Sequence, residues 1–367
     1  MRQPTNPPPS AGEGASRSEA GEGPAQVFPE VSLPSPAPLR GPPSPHPSRA
    51  CPTGTEKPDI GRARHPEGSG IEAIVVAHDS ADALPACLAA LARESIPAIV
   101  IDNASRDGSV AVARAHGARV IANPRNEGYG RANNIGVRAA EDARRVLILN
   151  PDLVLQPGAA AALLAAAQAW PDAGLLAPRI HEPDGRFFFQ PRSLLAPYLT
   201  NPKGRPALPE GDACTPFLSG ACLMIERALF LELGGFDPNI FLFYEDDDLC
   251  RRVADAGRAL VHVHGAVALH GRGRSSAPSP GRVFRTRWHQ AWSRAYVSRK
   301  YGLPDPSPAM LATNAPKAAL AALAFRRERL ERYGGSAAGA LAALRGRKAL
   351  AREGLAAMGA EGAASKV

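Results

Sequence analysis

Cysteine is sparse and unpatterned in this chain. Five residues in 367, an odd number with no CxxC spacing, exclude a disulfide framework and a zinc knuckle and suit a reducing compartment. No uncharged apolar run reaches the roughly 18 residues that a spanning helix needs, and no N-terminal apolar segment precedes a small-residue cleavage site. The expectation is a cytoplasmic protein, soluble or peripheral to the inner face of the cell membrane. Neither GxGxxG nor a Walker loop occurs, which removes the dinucleotide fingerprint and the P-loop. Aromatic residues make up only 5% of the chain and are not interleaved with basic ones, so nucleic acid is not an expected partner.

What is present is enough apolar material, 44% of the chain, for a sizeable core. It is unevenly spread. Residues 1–69 are dense in Pro, Gly, Ser and charge, a composition that cannot offset the entropy of ordering, and a disordered tail is expected there. The net charge of +8 suits nucleic acid, an anionic membrane surface or a phosphate-bearing substrate. Much of the surplus sits late, from Arg272 and Arg274 through Arg282 and Arg285 to Arg326, Arg327 and Arg329.

From Ile71 the chain alternates short β-branched runs with helical stretches: IEAIVVA, a helix over Ala81 to Arg93, AIVID, a helix over Val110–Gly117, ARVIANP, the turn NEGYGRANNIG running into a helix, and LILNPDLVL, which breaks at Asn150-Pro151-Asp152. That order predicts an α/β fold with a mostly parallel, Rossmann-like sheet. Ligands of such sheets bind at the carboxyl ends of the strands, where this chain sets Asp79, Asp102, Asn126 and Asp152. Each is also an ordinary turn former. The second half reads as a mixed sheet with longer loops, and the Ala-rich stretches past Tyr301 as helices that either pack or lie on a membrane surface.

Chemistry concentrates in four places. Asp102, at a strand end before a Gly-containing turn, suits the imide N–H of a uracil or thymine or a ribose hydroxyl, and Arg131 suits a phosphate. Asn150 and Asp152 offer oxygen ligands to Mg²⁺ or Mn²⁺ if a diphosphate completes the shell. His270, before Arg272 and Arg274, suits a further metal contact or a diphosphate clamp; His262 and His264 fit core or surface equally. Finally, Glu245 to Asp248 follow the apolar run Ile240–Tyr244, which looks like a buried strand, and precede an amphipathic stretch. Four carboxylates there are either a solvated face or a working acid site.

Taken in order, VVAHDS, DNASRDGS, NEGYGRANNIG, LNPDLVL, FLSGACLMIERALFLELGGFD and FLFYEDDDLCRRV resemble the family 2 glycosyltransferases of GT-A fold, especially their rhamnosyltransferase-like branch. The resemblance covers 71–301 and implies a GT-A domain over 70–301 followed by an Ala/Arg-rich helical region over 302–367. It implies a nucleoside-diphosphate sugar donor held by Ala77, Asp79, Asp102, Asn103, Asn126, Gly128, Arg131, Asn134 and Asn150, and Mg²⁺ or Mn²⁺ on Asp152 and His270. It makes Asp246 the general base of an inverting transfer to a glycan or lipid-linked acceptor, with Glu245 beside it and both Glu245 and Asp248 orienting base or acceptor; Asp247 is the rival for the base. His78-Asp79 stands where Tyr-Asn is usual, and the QxxRW of processive synthases is absent. Two alternatives share the sheet. One is a non-catalytic nucleotide-sugar or glycan-binding module; the other is a nucleotidyltransferase, which would want a Gly-rich basic loop where His78-Asp79-Ser80-Ala81 stands.

Overall fold

The computed structural model describes residues 70–188, 193–195, 208–271, 275–276 and 279–355. The tail expected over 1–69 lies outside them, as do Arg272 and Arg274. The β-branched run at the start becomes β1 (Ile71–Ala77), followed by α1 (Leu84–Arg93), β2 (Ala98–Asp102), α2 (Ser109–Ala115), β3 (Arg119–Ala122), α3 (Tyr129–Ala139), β4 (Arg145–Leu149), β5 (Leu153–Leu155) and α4 (Ala159–Ala169). The second half adds β6 (Ala173–His181), β7 (Phe187–Phe188), β8 (Ala213–Cys214), β9 (Cys222–Glu226), α5 (Arg227–Glu232), α6 (Glu245–Asp255) and β10 (Ala259–His270). Helices α7 (Arg282–Lys300), α8 (Ser307–Leu323), α9 (Arg327–Leu344) and α10 (Ala349–Arg352) complete it.

One sheet runs β3-β2-β1-β4-β9-β6-β10-β5, with β7 on β6 and β8 on β10. β1, β2, β3 and β4 pair in parallel; β9 is antiparallel to both β4 and β6, and β10 is parallel to β6. Two reversals cancel, so β6 and β10 point the same way as β1. The carboxyl end of β10, at His270, therefore lies on the same edge of the sheet as the ends of β1, β2 and β4. The expected α/β architecture with a mostly parallel sheet is what forms.

Both faces of the sheet are covered. Val75, Val100, Leu147 and Met224 share a core with α1 and α4, and Ile74, Ile99, Ile148 and Leu223 share one with α3 and α6. Each such side chain, fully buried, contributes about 1.5–3 kcal/mol. This two-sided burial explains the continuous apolar runs in place of alternation. A third core joins Phe241 to Trp288, Trp292, Ala342, Ala343 and Leu350, so the late helices meet the loop before α6.

One expectation changes. Ile240–Tyr244 is a bend, with Phe243 at φ 69° and Tyr244 at φ 67°. Tyr129 N–H bonds to the Phe241 carbonyl at 3.0 Å, which leaves that backbone paired with a helix start and not with a strand. The Ala-rich stretches past Tyr301 are helical as expected, with Phe325 turning the chain at φ 52° between α8 and α9 and Gly346, φ 65°, between α9 and α10.

Candidate active site

The β1 and β2 ends are locked in register, Ala77 opposite Asp102, and the Ala77 carbonyl accepts the Asn103 N–H at 2.7 Å. The Asn103 amide organises the next loop: its Nδ2 donates to Asn126 Oδ1 (2.9 Å) and the Gly128 carbonyl, and its Oδ1 accepts the Glu127 N–H and Asn123 Nδ2. Asn126 Oδ1 also accepts the Gly128 N–H. Gly128 itself sits at φ 84°, and a Cβ there would run into the Phe241 carbonyl oxygen, so only glycine suits this close passage. Asp79 is held at φ 51° while its Oδ1 accepts the Arg106 N–H at 2.7 Å. Asp102 is buried; one oxygen accepts the Ser105 N–H, and Oδ1 has no protein partner.

Two expected donor contacts find other partners. Arg131 makes an ion pair with Glu127 at 2.9 Å, one turn back on α3. Both amide atoms of Asn134 bond to the Phe236 backbone at 2.8 Å, which ties α3 to the loop before α6. The helical period that places Tyr129 toward the strand ends carries these two elsewhere.

The Asn150-Pro151-Asp152 turn carries the chain from β4, in the middle of the sheet, to β5 at its far edge. There β5 pairs with β10, Leu153 opposite His270, and the Gly271 N–H bonds to the Asp152 carbonyl at 2.9 Å. That register is what brings His270 to the turn: its Nε2 lies 3.3 Å from Asp152 Oδ1 and 3.3 Å from Asn150 Nδ2. Ser275 Oγ donates to the same Asp152 oxygen at 2.6 Å, while Asp152 Oδ2 and His270 Nδ1 are buried without partners. Burial pushes the Asp152 carboxyl up, but the hydrogen bonds from His270 and Ser275 outweigh it and hold the group below its ordinary value. His262, eight residues earlier on β10, is buried and driven down to about 4 by burial and then by His264; neither of these two histidines lines the cleft described below.

The acid run is the first turn of α6, where the helix dipole favours negative charge. Its four members have four fates. Asp248 is fully buried and bonded to Arg252, Lys300 and Tyr301, which fastens α6 to the end of α7; the expectation that it orients base or acceptor is replaced by this structural role. Asp247 accepts the Ser193 hydroxyl at 2.7 Å and the Leu194 N–H at 2.8 Å through one oxygen. Glu245 is buried with Oε2 unpartnered, and burial, then the charge of Asp246, keeps its carboxyl well above the usual range. Asp246 alone of the four retains partial exposure. Its Oδ2 accepts the Gly220 N–H at 3.0 Å, and burial followed by the charge of Asp247 raises it to about 7.

Gly220 and Ala221 join the acid to the Asn150-Pro151-Asp152 turn. The Gly220 N–H binds Asp246, its carbonyl accepts the Tyr129 hydroxyl at 2.7 Å, and the Ala221 carbonyl accepts the Asn150 N–H at 3.0 Å. A Cβ on Gly220 would lie 3.2 Å from that of Asp246. We expect Gly220→Ala to displace Asp246 by a few tenths of an ångström and lower kcat with little change in donor affinity; equal losses in both would place the damage in the cleft as a whole.

A cleft of about 550 Å³ opens at this edge, lined by His78, Asp79, Asn103, Asn126, Gly128, Tyr129, Asn150 and His270, together with Phe241, Ser275, Arg282 and Arg285. Asp152, Glu245 and Asp246 are not part of that lining; Asp152 adjoins it through Ser275 and His270, and Asp246 through Gly220 and Tyr129. The sequence reading did not assign Phe241, Ser275, Arg282 and Arg285 to the site. Their signals were the Ser275-Ser276 pair after His270 and an unbroken 19-residue helix, α7, with basic residues at its start.

A mostly parallel α/β sheet with a cleft at its strand ends is the architecture expected of a GT-A fold. Residues 72–234 match the family described as "Glycosyl transferase family 2". The N-acetylglucosaminyl-diphospho-decaprenol L-rhamnosyltransferase of Mycobacterium tuberculosis is 31% identical over 248 residues, 57% of this chain and 81% of that protein. Rhamnosyltransferase WbbL of Escherichia coli is 29% identical over 89 residues, 24% of this chain and 33% of that protein. Among solved structures, TarS 1–349 of S. aureus is 14% identical, with a TM-score of 0.45 over 76% of this chain and 92% of that one, a likeness too distant to carry function. The chain belongs to glycosyltransferase family 2, is rhamnosyltransferase-like, and is an enzyme. Among the described residues no helix is long and apolar enough to cross a membrane.

Proposed function

We propose that this enzyme transfers a sugar, rhamnose in the first instance, with inversion from a nucleoside-diphosphate donor in the cleft to a hydroxyl of a polyprenyl-diphosphate-linked glycan. The observation that carries the reading is Asp246, the one partly exposed residue of the acid run, whose carboxyl is raised to about 7 and accepts the Gly220 N–H next to the Ala221 carbonyl that holds the Asn150 turn. In the step proposed, the acceptor oxygen gives its proton to Asp246 and forms a bond to C1 of the sugar. The bond from C1 to the diphosphate breaks on the opposite face, and the nucleoside diphosphate leaves. Such base assistance is typically worth about 10²–10⁴-fold. Burial, then the charge of Asp246, pushes the Glu245 carboxyl up, which favours placing the negative charge of the pair on Asp246. Asp102, with a free acceptor oxygen, and Asp79 would meet the nucleoside; Arg282 and Arg285 in the cleft lining would meet the diphosphate.

The donor set also fits a hard divalent cation. Asp152 Oδ2 and His270 Nδ1 are buried and unpartnered, and because no group of three ligating side chains occurs among the described residues, oxygens of the diphosphate would be needed to complete the shell. Bound there, Mg²⁺ or Mn²⁺ would neutralise charge on the departing diphosphate. The rhamnose donor and the lipid-linked acceptor rest on the activities of the relatives, and a nucleotide-sugar donor suits a cytoplasmic enzyme.

Two measurements test this. Purified protein with Mg²⁺ or Mn²⁺ and a panel of nucleotide-sugars should release nucleoside diphosphate fastest with deoxythymidine-diphosphate rhamnose, and faster still with an N-acetylglucosaminyl-diphospho-polyprenol; equal release from every donor sinks the donor assignment. Asp152→Ala should weaken metal-dependent donor binding by at least on the order of 10–100-fold, by analogy with losses seen at supporting metal-site residues. Titration calorimetry with and without chelator reads this, and a wild-type enzyme indifferent to chelator would contradict it.

A further inference from the structure

The largest exposed apolar side chains of the described residues gather at one point, the turn between α8 and α9. Leu320 is 68% exposed, Leu323 78% and Phe325 94%. Leu320 and Leu323, three apart, share one face of the last turn of α8. The turn is closed by hydrogen bonds from Phe325 N–H to the Ala322 carbonyl (3.1 Å) and from Arg326 N–H to the Ala321 carbonyl (2.8 Å). Phe325 occupies the left-handed position at φ 52° that glycine would fill without strain. A bulky aromatic in that slot, almost wholly in water, costs the fold backbone strain and gains it no packing.

Basic residues surround the apolar point. Arg326, Arg327 and Arg329 are exposed. Arg327 pairs with Glu331 and Arg332 with Glu328, each at 3.3 Å, but among the described residues Arg326 and Arg329 have no ion-pair partner. The turn thus combines a three-residue apolar wedge with two uncompensated guanidinium groups. We propose that it is a docking surface for an anionic phospholipid bilayer, with Leu320, Leu323 and Phe325 entering the headgroup and acyl boundary and Arg326 and Arg329 on lipid phosphates. A second copy of the chain fits less well. Three side chains on a hairpin tip fall far short of the roughly 800 Å² per partner of a stable interface, and like copies would bring the arginines together. The surface is read from the tip alone and does not depend on the acceptor proposed above.

The test is co-sedimentation of the full chain with vesicles of phosphatidylcholine alone and of phosphatidylcholine mixed with phosphatidylglycerol, neither containing polyprenyl lipid. The wild type should partition onto the anionic vesicles only. The double variant Arg326→Gln/Arg329→Gln should lose on the order of 25-fold in partitioning, at about fivefold per basic residue near an anionic surface. The triple variant Leu320→Ser/Leu323→Ser/Phe325→Ser should lose binding at moderate salt. Both should keep the wild-type melting temperature and nucleoside-diphosphate release with a soluble acceptor, since none of the five side chains packs in a core. Wild type left in the supernatant with anionic vesicles overturns the proposal, as does a triple variant that binds like wild type. Concentration-dependent dimerisation that the triple variant abolishes, without vesicle binding, would assign the tip to a second copy. Loss of sugar transfer with vesicle binding intact would bear on the proposed activity and not on this surface.

Discussion

Asp246→Asn should lower turnover by about 10²–10⁴-fold, the range of general-base assistance, while donor affinity measured by calorimetry stays near wild type. The amide keeps the shape and an acceptor for the Gly220 N–H but cannot take the acceptor's proton. Because Asp246 is raised to about 7 and must be ionised to act, kcat/KM of the wild type should rise with pH up to about 7 and level off above it. Residual activity of the variant should lack this limb. Stability should move the other way. The folded carboxyl holds its proton to about pH 7, while the unfolded chain releases it near 3.9, so between those values the native state binds more protons and loses stability as pH rises. Asp246→Asn escapes that loss and should melt higher than wild type at pH 8, by roughly 2–4 °C for each kcal/mol relieved. A variant that loses donor binding in proportion to turnover would remove Asp246 from the role of base.

Two residues on, Asp248→Ala should do nearly the reverse. Asp248 is wholly buried and shared among Arg252, Lys300 and Tyr301. Truncating one member of a buried charge network leaves the others uncompensated, at a cost of about 3–5 kcal/mol. Lys300 keeps Asp237 at 2.6 Å, which places the expected loss toward the lower figure. Calorimetry should show melting lowered by roughly 10 °C, while kcat per folded molecule, measured well below the transition, is nearly unchanged. Lost activity at an unchanged melting temperature would instead make Asp248 part of the site. Neighbouring acids of one run thus separate by experiment into chemistry and architecture.

The run itself was legible as a place of unusual cost, since four carboxylates after an apolar segment cannot all be solvated. Which oxygen does what was not. That depends on the left-handed Phe243 and Tyr244, which end the apolar run as a bend and start α6 with each acid about 100° round from the last. Asp79, Asp102, Asn150 and Asp152 were readable because parallel strands must end on one edge. Asn134 and Arg131 were misjudged because spacing along a Gly/Asn-rich segment does not say which side of α3 faces the strand ends.

Local pattern alone determined the α/β alternation, the ordered series of motifs and the acids worth attention, because periodicity and turn chemistry act within a few residues. Tertiary structure decided what the motifs do together. The antiparallel β9 puts β10 in line with β1, and the β5–β10 pairing sets His270 on Asp152. Gly220 and Ala221, some seventy residues from the Asn150 turn, connect that turn to Asp246. Contacts between segments far apart in the chain depend on register and packing, and no short window of sequence contains them.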